Sequence, residues 1–570
     1  MNKKPAPTHL HPCARALAFT AGLLLTMGGA VAAASQAHES LLAACNSVHY
    51  QTLLHTVAQV PAAQNNPPEP QAVWINRELL QWPGAPTGGR YKLYHSAVGQ
   101  LHAQPGENVA GADGAIALRV RGAQLPGALA NRFKYVTPGS VLMVARHDQS
   151  RVGSLLRQQV LLVEEDAAGH VLRSTATQVA GALDDAYAAA TRTADLGVTV
   201  GRQHTQFKLW APTARAVSVC HFDTSAGDAT AAIPLGREAA TGNWSARLPG
   251  NLSGGYYSYL VEVFVPGTGF VRNRVTDPYS LSLNTDSQRS YIANLNEARL
   301  KPAGWDRHAA PQRVKAQVDM SVYELHVRDF SLGDLTVPEE QRGKYLAFTA
   351  SESNGMRHLK ALSRAGMTDV HLLPIFDIAS VPEAGCHTAT IATPEHGDSE
   401  VPQSSTSASA AKDCFNWGYD PLHFNAPEGS YASDAADGAK RIIELRQMVM
   451  ALHAAGLRVG MDVVYNHTSA SGQHAQSVLD RIVPGYYHRL NALGAVERST
   501  CCDNTATENM MMGKLMIDSV ELWAKQYRID SFRFDLMAHQ PRAVMQALQR
   551  RVNKVAARHV NLIGEGWNFG

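Results

Sequence analysis

The chain has 570 residues, 45% of them hydrophobic and 18% charged, with a net charge of +2 at neutral pH. That length calls for roughly three or four domains with ample core. The balanced charge offers neither the basic field of a nucleic-acid-binding protein nor an acidic tail.

The chain opens with the basic stretch MNKKPAPTHLHPCAR, then the apolar ALAFTAGLLLTMGGAVAAA, which ends in small residues. This is the layout of an export signal over residues 1–34, cleaved near Ala30–Ala32, and it implies secretion to the periplasm or the medium. The alternative, a membrane anchor, fits poorly with so short a span studded with Gly and Ala. LAAC, Leu42–Cys45, looks like a lipoprotein cleavage box, but the polar SQAHES separates it from the apolar run, so a lipid anchor at Cys45 is the weaker reading. No later segment approaches the ~18 unbroken apolar residues of a membrane span.

Residues 35–71 read as an N-terminal segment ending in a Pro- and Asn-rich linker, 61–71. From 72 to 196 the runs YKLYHS, IALRV, VLMVA and QQVLLVEE alternate with turn residues, which predicts a β-sandwich. A second sandwich is expected over 197–300 from FKLWA, AVSVCHF and GYYSYLVEVF. In the last, Tyr257, Tyr259, Val261 and Val263 share one face, and Tyr256, Ser258 and Glu262 the other.

Over 315–570 strand-like runs alternate with helix-like ones, the pattern of a parallel sheet. The stripes Met516, Val520, Trp523, Tyr527 and Val544, Leu548, Val552, Val555 mark two helices. Gly366 and Gly456 stand where C-caps belong, and Pro541 opens the later helix. Five strands are expected, around Tyr323, Leu372, Asp462, Phe532 and Ile563. A closed (β/α)8 TIM barrel has eight strands, so the region reads as an open sheet or an incomplete barrel.

Six cysteines remain once Cys13 leaves with the signal. Cys386 and Cys414 bracket a long polar loop and are candidates to staple it; Cys501 and Cys502 are adjacent candidates. Spacing does not fix the pairing, and with no CxxC or HExxH a zinc site is not expected.

Active residues of such sheets sit at the C-terminal strand ends. Here those ends carry Asp462, Asn466 and His467, then Arg533 and Asp535, then Glu565. Asp535 and Glu565 are separated by one helix and one strand, so they belong on adjacent strands about 4.8 Å apart. That suits the roughly 5–5.5 Å carboxyl spacing of a retaining glycosidase. Arg533 is expected to hold Asp535 ionised as a nucleophile. Glu565, among Gly, Trp and apolar residues, is expected to be desolvated and to serve as acid and then base. His467 and His539 are candidate donors to sugar hydroxyls, and Trp417, Tyr419 and Trp567 offer flat faces to pyranose rings. His326 reads better as a satisfied barrel histidine than as a catalytic one.

At these residues the sequence resembles the α-amylase superfamily (glycoside hydrolase family 13), and within it the bacterial type I pullulanases. DVVYNH (462–467), FRFDLM (532–537) and GEGWNFG (564–570) resemble three superfamily motifs; FNWGYDP (415–421), YELHVRDFS (323–331) and STCCDNTATE (499–508) resemble pullulanases more narrowly. Upstream, FKLWAPTARAVSVC (207–220) resembles carbohydrate-binding module family 48, and AVWINRELLQWPG (72–84) the preceding pullulanase domain. The resemblance implies starch debranching: cleavage of α-1,6-glucosidic linkages in pullulan, amylopectin or limit dextrins with retention. It makes Asp535 the nucleophile and Glu565 the acid/base. Arg533, Asp462, Asn466, His467 and Tyr419 would line the subsite of the sugar that becomes covalently attached, with Trp567 stacking further along. No cofactor is needed for the chemistry, calcium is a possible companion, α-glucans are the expected partners, and the full-length protein is expected to be a monomer.

The family pattern continues with a His-Asp motif and three more strands, which do not follow Gly570. An open barrel exposes apolar strand edges, so the chain reads as an incomplete copy, expected to be poorly stable and of little activity. Competing readings are an isoamylase-type or glycogen debranching enzyme, a transglycosylase using the same intermediate, and a non-catalytic glycan-binding protein with a vestigial barrel.

Overall fold

A computed structural model describes residue 1 and residues 39–55, 69–388, 390–391 and 393–567. The expected export signal and most of the linker lie outside the described residues.

Residues 72–178 form one eight-stranded sheet. Its two outermost strands, Val171–Thr175 and Thr177–Gln178, are separated in sequence by Ala176 alone. The sheet therefore curls back on itself, and its two facing layers come from one sheet. Trp74, Leu80, Trp82, Leu93, Leu142 and Leu162 fill the space between them. Period-2 alternation tells which side chains point inward, not how strands are shared among sheets.

The second module is a sandwich of a four-stranded and a six-stranded sheet. Phe207 of the first meets Tyr257 of the second with ring centroids 5.0 Å apart. The long strand Tyr256–Val265 is buried on both faces over its first six residues. Its second face is covered by the catalytic module: the Tyr256 hydroxyl donates to the Ala436 carbonyl at 2.8 Å and accepts from the Gly438 amide at 3.1 Å.

The segment before the linker differs from expectation. Gln51–His55 pairs antiparallel with Gly269–Val275 and forms the edge of the six-stranded sheet. Cys45 is bonded to Cys220 across 175 residues. This overturns the lipid-anchor reading of Cys45, whose sulfur is already committed inside the core. The segment 39–55 thus belongs to the sandwich.

The catalytic module holds five parallel strands in chain order: β1 (Val322–Leu325), β2 (Asp369–Leu372), β3 (Arg458–Val463), β4 (Ser531–Phe534) and β5 (Asn561–Gly564). Helices α1 (Asn354–Arg364), α2 (Gly438–Ala454), α3 (Met510–Gln526) and α4 (Arg542–Ala556) separate them. β2 and β3 are buried along their whole length, whereas the outer strands β1 and β5 are partly open. Gly366 (φ +108°) and Gly456 (φ +86°) take the left-handed conformation after α1 and α2, as expected of C-caps, and at the start of α1 the Ser353 hydroxyl accepts from the Met356 amide. The α3 stripe is fully buried. In α4 only Leu548 and Val552 are; Val544 and Val555 remain partly open.

Cys386 and Cys414 are bonded, closing a loop that contains the helix Val401–Ser409, and Cys501 is bonded to Cys502. The Ser- and Ala-rich loop sequence gave no periodic signal for that helix.

Candidate active site

The sheet register builds the site. In the β3–β4 pair Asp462 stands opposite Arg533, and in the β4–β5 pair Phe534 stands opposite Gly564. The next residues on β4 and β5 are therefore Asp535 and Glu565, side by side. Two amides hold them there: Asp535 donates to the Val463 carbonyl at 3.0 Å, and Glu565 to that of Phe534 at 3.1 Å. Phe532 and Phe534 point away and are buried, which turns the alternate residues Arg533 and Asp535 into the site.

Arg533 is the hub. Its Nη1 lies 2.8 Å from Asp462 Oδ2 and 3.6 Å from Asp535 Oδ1, and its Nη2 is paired with Glu565 Oε1. Burial works against its charge, but Asp462, Tyr419 and Glu565 outweigh burial and hold it firmly protonated. The Tyr419 hydroxyl donates to Asp462 Oδ2 at 2.6 Å. Burial pushes Asp462 up to about 7, against the pull of Tyr419 and Arg533.

Burial, not Arg533, is the largest influence on the Asp535 carboxyl. Burial raises its pKa, and this outweighs Asn466, His467 and Arg533, which all lower it. One guanidinium shared among three carboxylates, with its nearest nitrogen 3.6 Å away, is too weak to reverse the desolvation. The setting of Glu565 also differs from the apolar one expected. Its side chain is 30% exposed, pairs with Arg533, and accepts from the Leu536 amide at 3.2 Å. Leu536 adopts a left-handed conformation, φ +43°, costly for a branched side chain and a mark of a functional turn. No sequence signal announces that turn.

Asn466 donates to Asp535 Oδ2 at 2.7 Å. His467 is buried and donates from Nε2 to the Tyr419 carbonyl at 2.6 Å. Burial lowers its pKa, and its Nε2 proton is spent on the backbone. The expected donation to a sugar hydroxyl is not available from this nitrogen. A ring nitrogen of His467 and the bonded sulfurs of Cys501 and Cys502 lie within 4.8 Å of one another, a proximity the sequence did not indicate. His539 is buried, with Nε2 3.3 Å from the Ser499 hydroxyl. Trp417 and Trp567 are each 62% exposed. His326 is satisfied, bonding the Asn416 carbonyl and the Tyr431 hydroxyl at 2.9 and 3.1 Å.

Among the described residues, the acidic group that comes nearest to a calcium site is Asp377, Glu383 and Glu428, whose oxygens lie within 4.8 Å of one another. The Arg441 guanidinium already bridges Glu383 at 2.5 Å and Asp377 at 3.8 Å. A cation stands there already, so this set does not fit calcium. His467, Cys501 and Cys502 do not fit a metal either while their sulfurs are bonded to each other.

A parallel strand–helix sheet with paired carboxylates on adjacent strand ends, behind two β modules, defines a glycosidase-type catalytic unit with carbohydrate-binding companions. Comparison with known proteins gives the family. Residues 69–185 match the Pullulanase N2 domain, and residues 195–280 match carbohydrate-binding module 48 (isoamylase N-terminal domain). The chain is 36% identical over 541 residues to a pullulanase of Klebsiella pneumoniae, covering 87% of this chain and 49% of that one. It is 37% identical over 515 residues to chloroplastic pullulanase 1 of Arabidopsis thaliana, covering 88% and 52%. The crystal structure of Klebsiella pneumoniae pullulanase complexed with maltotriose superimposes with a TM-score of 0.81 at 35% identity, over 88% of this chain and 51% of that one. Over the residues compared the chain is similar to pullulanases, and it spans about half the length of the curated relatives it matches.

Proposed function

We propose that the protein hydrolyses α-1,6-glucosidic branch linkages in pullulan, amylopectin and limit dextrins with retention of configuration. The observation that carries this is the β4–β5 register, which sets Asp535 and Glu565 on adjacent strand ends with one guanidinium between them. Asp535 attacks the anomeric carbon while Glu565 protonates the departing glycosidic oxygen; Glu565 then takes a proton from the water that releases the glycosyl group. Asn466 keeps the attacking oxygen oriented, and Arg533 holds Glu565 and Asp462 in place until a sugar enters. Asp462, Tyr419, Asn466 and His467 line the glycosylated subsite, His539 donates to a sugar hydroxyl, and Trp417 and Trp567 stack on the glucan.

Three disulfides fit an oxidising compartment and so a secreted protein. α-Glucans are the partners, and the protein acts as a monomer. The test is trapping: a 5-fluoro-α-glucosyl fluoride is expected to leave a hexosyl adduct on the peptide containing Asp535, detected by mass spectrometry and lost in Asp535→Asn. An adduct on another residue, or retention on starch with neither adduct nor reducing-sugar release, would overturn the proposal.

A further inference from the structure

Where the N-terminal segment, the second sandwich and the catalytic module meet, there is a cavity of about 510 Å³. None of Asp462, Asp535 and Glu565 lines it. Its volume falls within the roughly 300–1,000 Å³ of small-molecule sites. Two arginines line it: Arg274 from the strand Gly269–Val275, and Arg481 from the connection after β3.

Neither arginine has an acidic partner among the described residues. Arg481 is 3% exposed; it gives Nη1 to the Ala475 carbonyl at 3.1 Å and Nη2 to the carbonyls of Tyr50 and Arg274 at 2.6 Å each. Its Nε is buried with no acceptor, as is that of Arg274. The acids on the cavity wall are engaged elsewhere. Glu383 is paired with Arg441 at 2.5 Å, and Asp286 Oδ1 accepts from the Glu383 amide at 3.0 Å. His423, also on the wall, is held by Asp377 at 2.6 Å.

A buried charge without a counter-charge is costly, and proteins ordinarily supply the missing partner. Here two adjacent cations share one cavity and lack it. The strain registers on both: burial brings Arg481 down to about 10, with Arg274 adding to the effect, and burial also lowers Arg274. Guanidinium forks match tetrahedral oxyanions in both charge and geometry.

We propose that this seam binds a phosphate-class oxyanion, free or as the ester of a hexose, clamped between Arg274 and Arg481. The cavity is larger than an inorganic oxyanion needs, and the neutral polar groups of Ser287, Ser380 and Gln476 stand on its wall, bonded to Asp377, Asn416 and the Ala379 carbonyl, bonds that a sugar hydroxyl would share. Because the two arginines come from different modules, occupancy ties the sandwich to the catalytic module. The site is independent of the proposed glycosidase chemistry.

The test is calorimetric titration of the chain with inorganic phosphate, glucose 6-phosphate and glucose, at ionic strength held constant with chloride. Saturable phosphate binding is expected, with Arg274→Gln weakening it at least tenfold and Arg274→Lys less. Removal of Arg481 would also take a donor from three backbone carbonyls, so Arg274, whose terminal nitrogens hold no acceptor among the described residues, is the diagnostic position. Glucose 6-phosphate binding at least tenfold tighter than phosphate assigns the site to a sugar ester; equal binding assigns it to the free anion. No saturable binding of either, unchanged affinity in Arg274→Gln, or glucose binding as tightly as its phosphate would overturn the proposal.

Discussion

Asn466 donates from one amide nitrogen to two oxygens of Asp535, the carboxylate Oδ2 at 2.7 Å and the backbone carbonyl at 2.8 Å. The first bond favours the ionised carboxylate and is the foremost influence opposing the burial that raises its pKa. Asn466→Ala is therefore expected to raise the Asp535 pKa further. A nucleophile must be ionised to attack, so the acid limb of kcat/KM on pullulan should move to higher pH. An unmoved limb would detach Asn466 from the ionisation of Asp535.

Arg533→Gln removes the one cation shared by Asp462, Asp535 and Glu565. Because the arginine is partly open to solvent, the loss is expected to be about 2 kcal/mol, below that of a fully buried pair. Its sign with pH is fixed. Asp462, raised to about 7 by burial, is neutral in acid and charged above that value. The penalty should thus be largest above pH 7 and shrink in acid, as read from denaturant midpoints across pH.

Cys45→Ser opens a covalent loop of 175 residues. A stability loss of about 3 kcal/mol is expected. It should come with proteolytic release of residues 39–55 while the catalytic module stays resistant. Equal resistance in both proteins would mean that strand pairing alone holds the segment.

Glu428 is buried, and desolvation together with Glu383 and Asp377 raises its pKa from 4.5 to about 8. A carboxyl that binds its proton more tightly when folded contributes stability in full below 4.5, and loses it as pH rises through about 8. Its oxygens accept from the Ile378 and Ser430 amides at 2.7 and 2.8 Å, so Glu428→Gln gives up one of these bonds but cannot ionise. The variant should be the less stable protein in acid, with the gap closing or reversing above pH 8, as measured by thermal unfolding.

What could be read from the sequence was local. The β4 alternation of Phe532, Arg533, Phe534 and Asp535 fixes which side chains enter the site, and the α3 stripe fixes its buried face. The glycines after α1 and α2 mark their ends. What could not be read depends on partners far along the chain. Nothing in QTLLH says that it pairs with residues near Asn273, and spacing does not join Cys45 to Cys220. Arg533 was legible as a neighbour of Asp535, but not as a cation divided among three acids, which needs the β3–β4–β5 register. The rise in the Asp535 pKa follows from that division together with burial.

The docked N-terminal strand has a consequence for biogenesis. Gln51 reaches Asn273 across 222 positions, so during synthesis the ribosome must release most of the second sandwich before this strand has anything to pair with. Until then it is an unsatisfied β edge exposed to other chains. Oxidation of Cys45 with Cys220 therefore acts as a late lock, and a nascent chain oxidised too early, or held reduced too long, would be most exposed to misassembly at its first ordered strand.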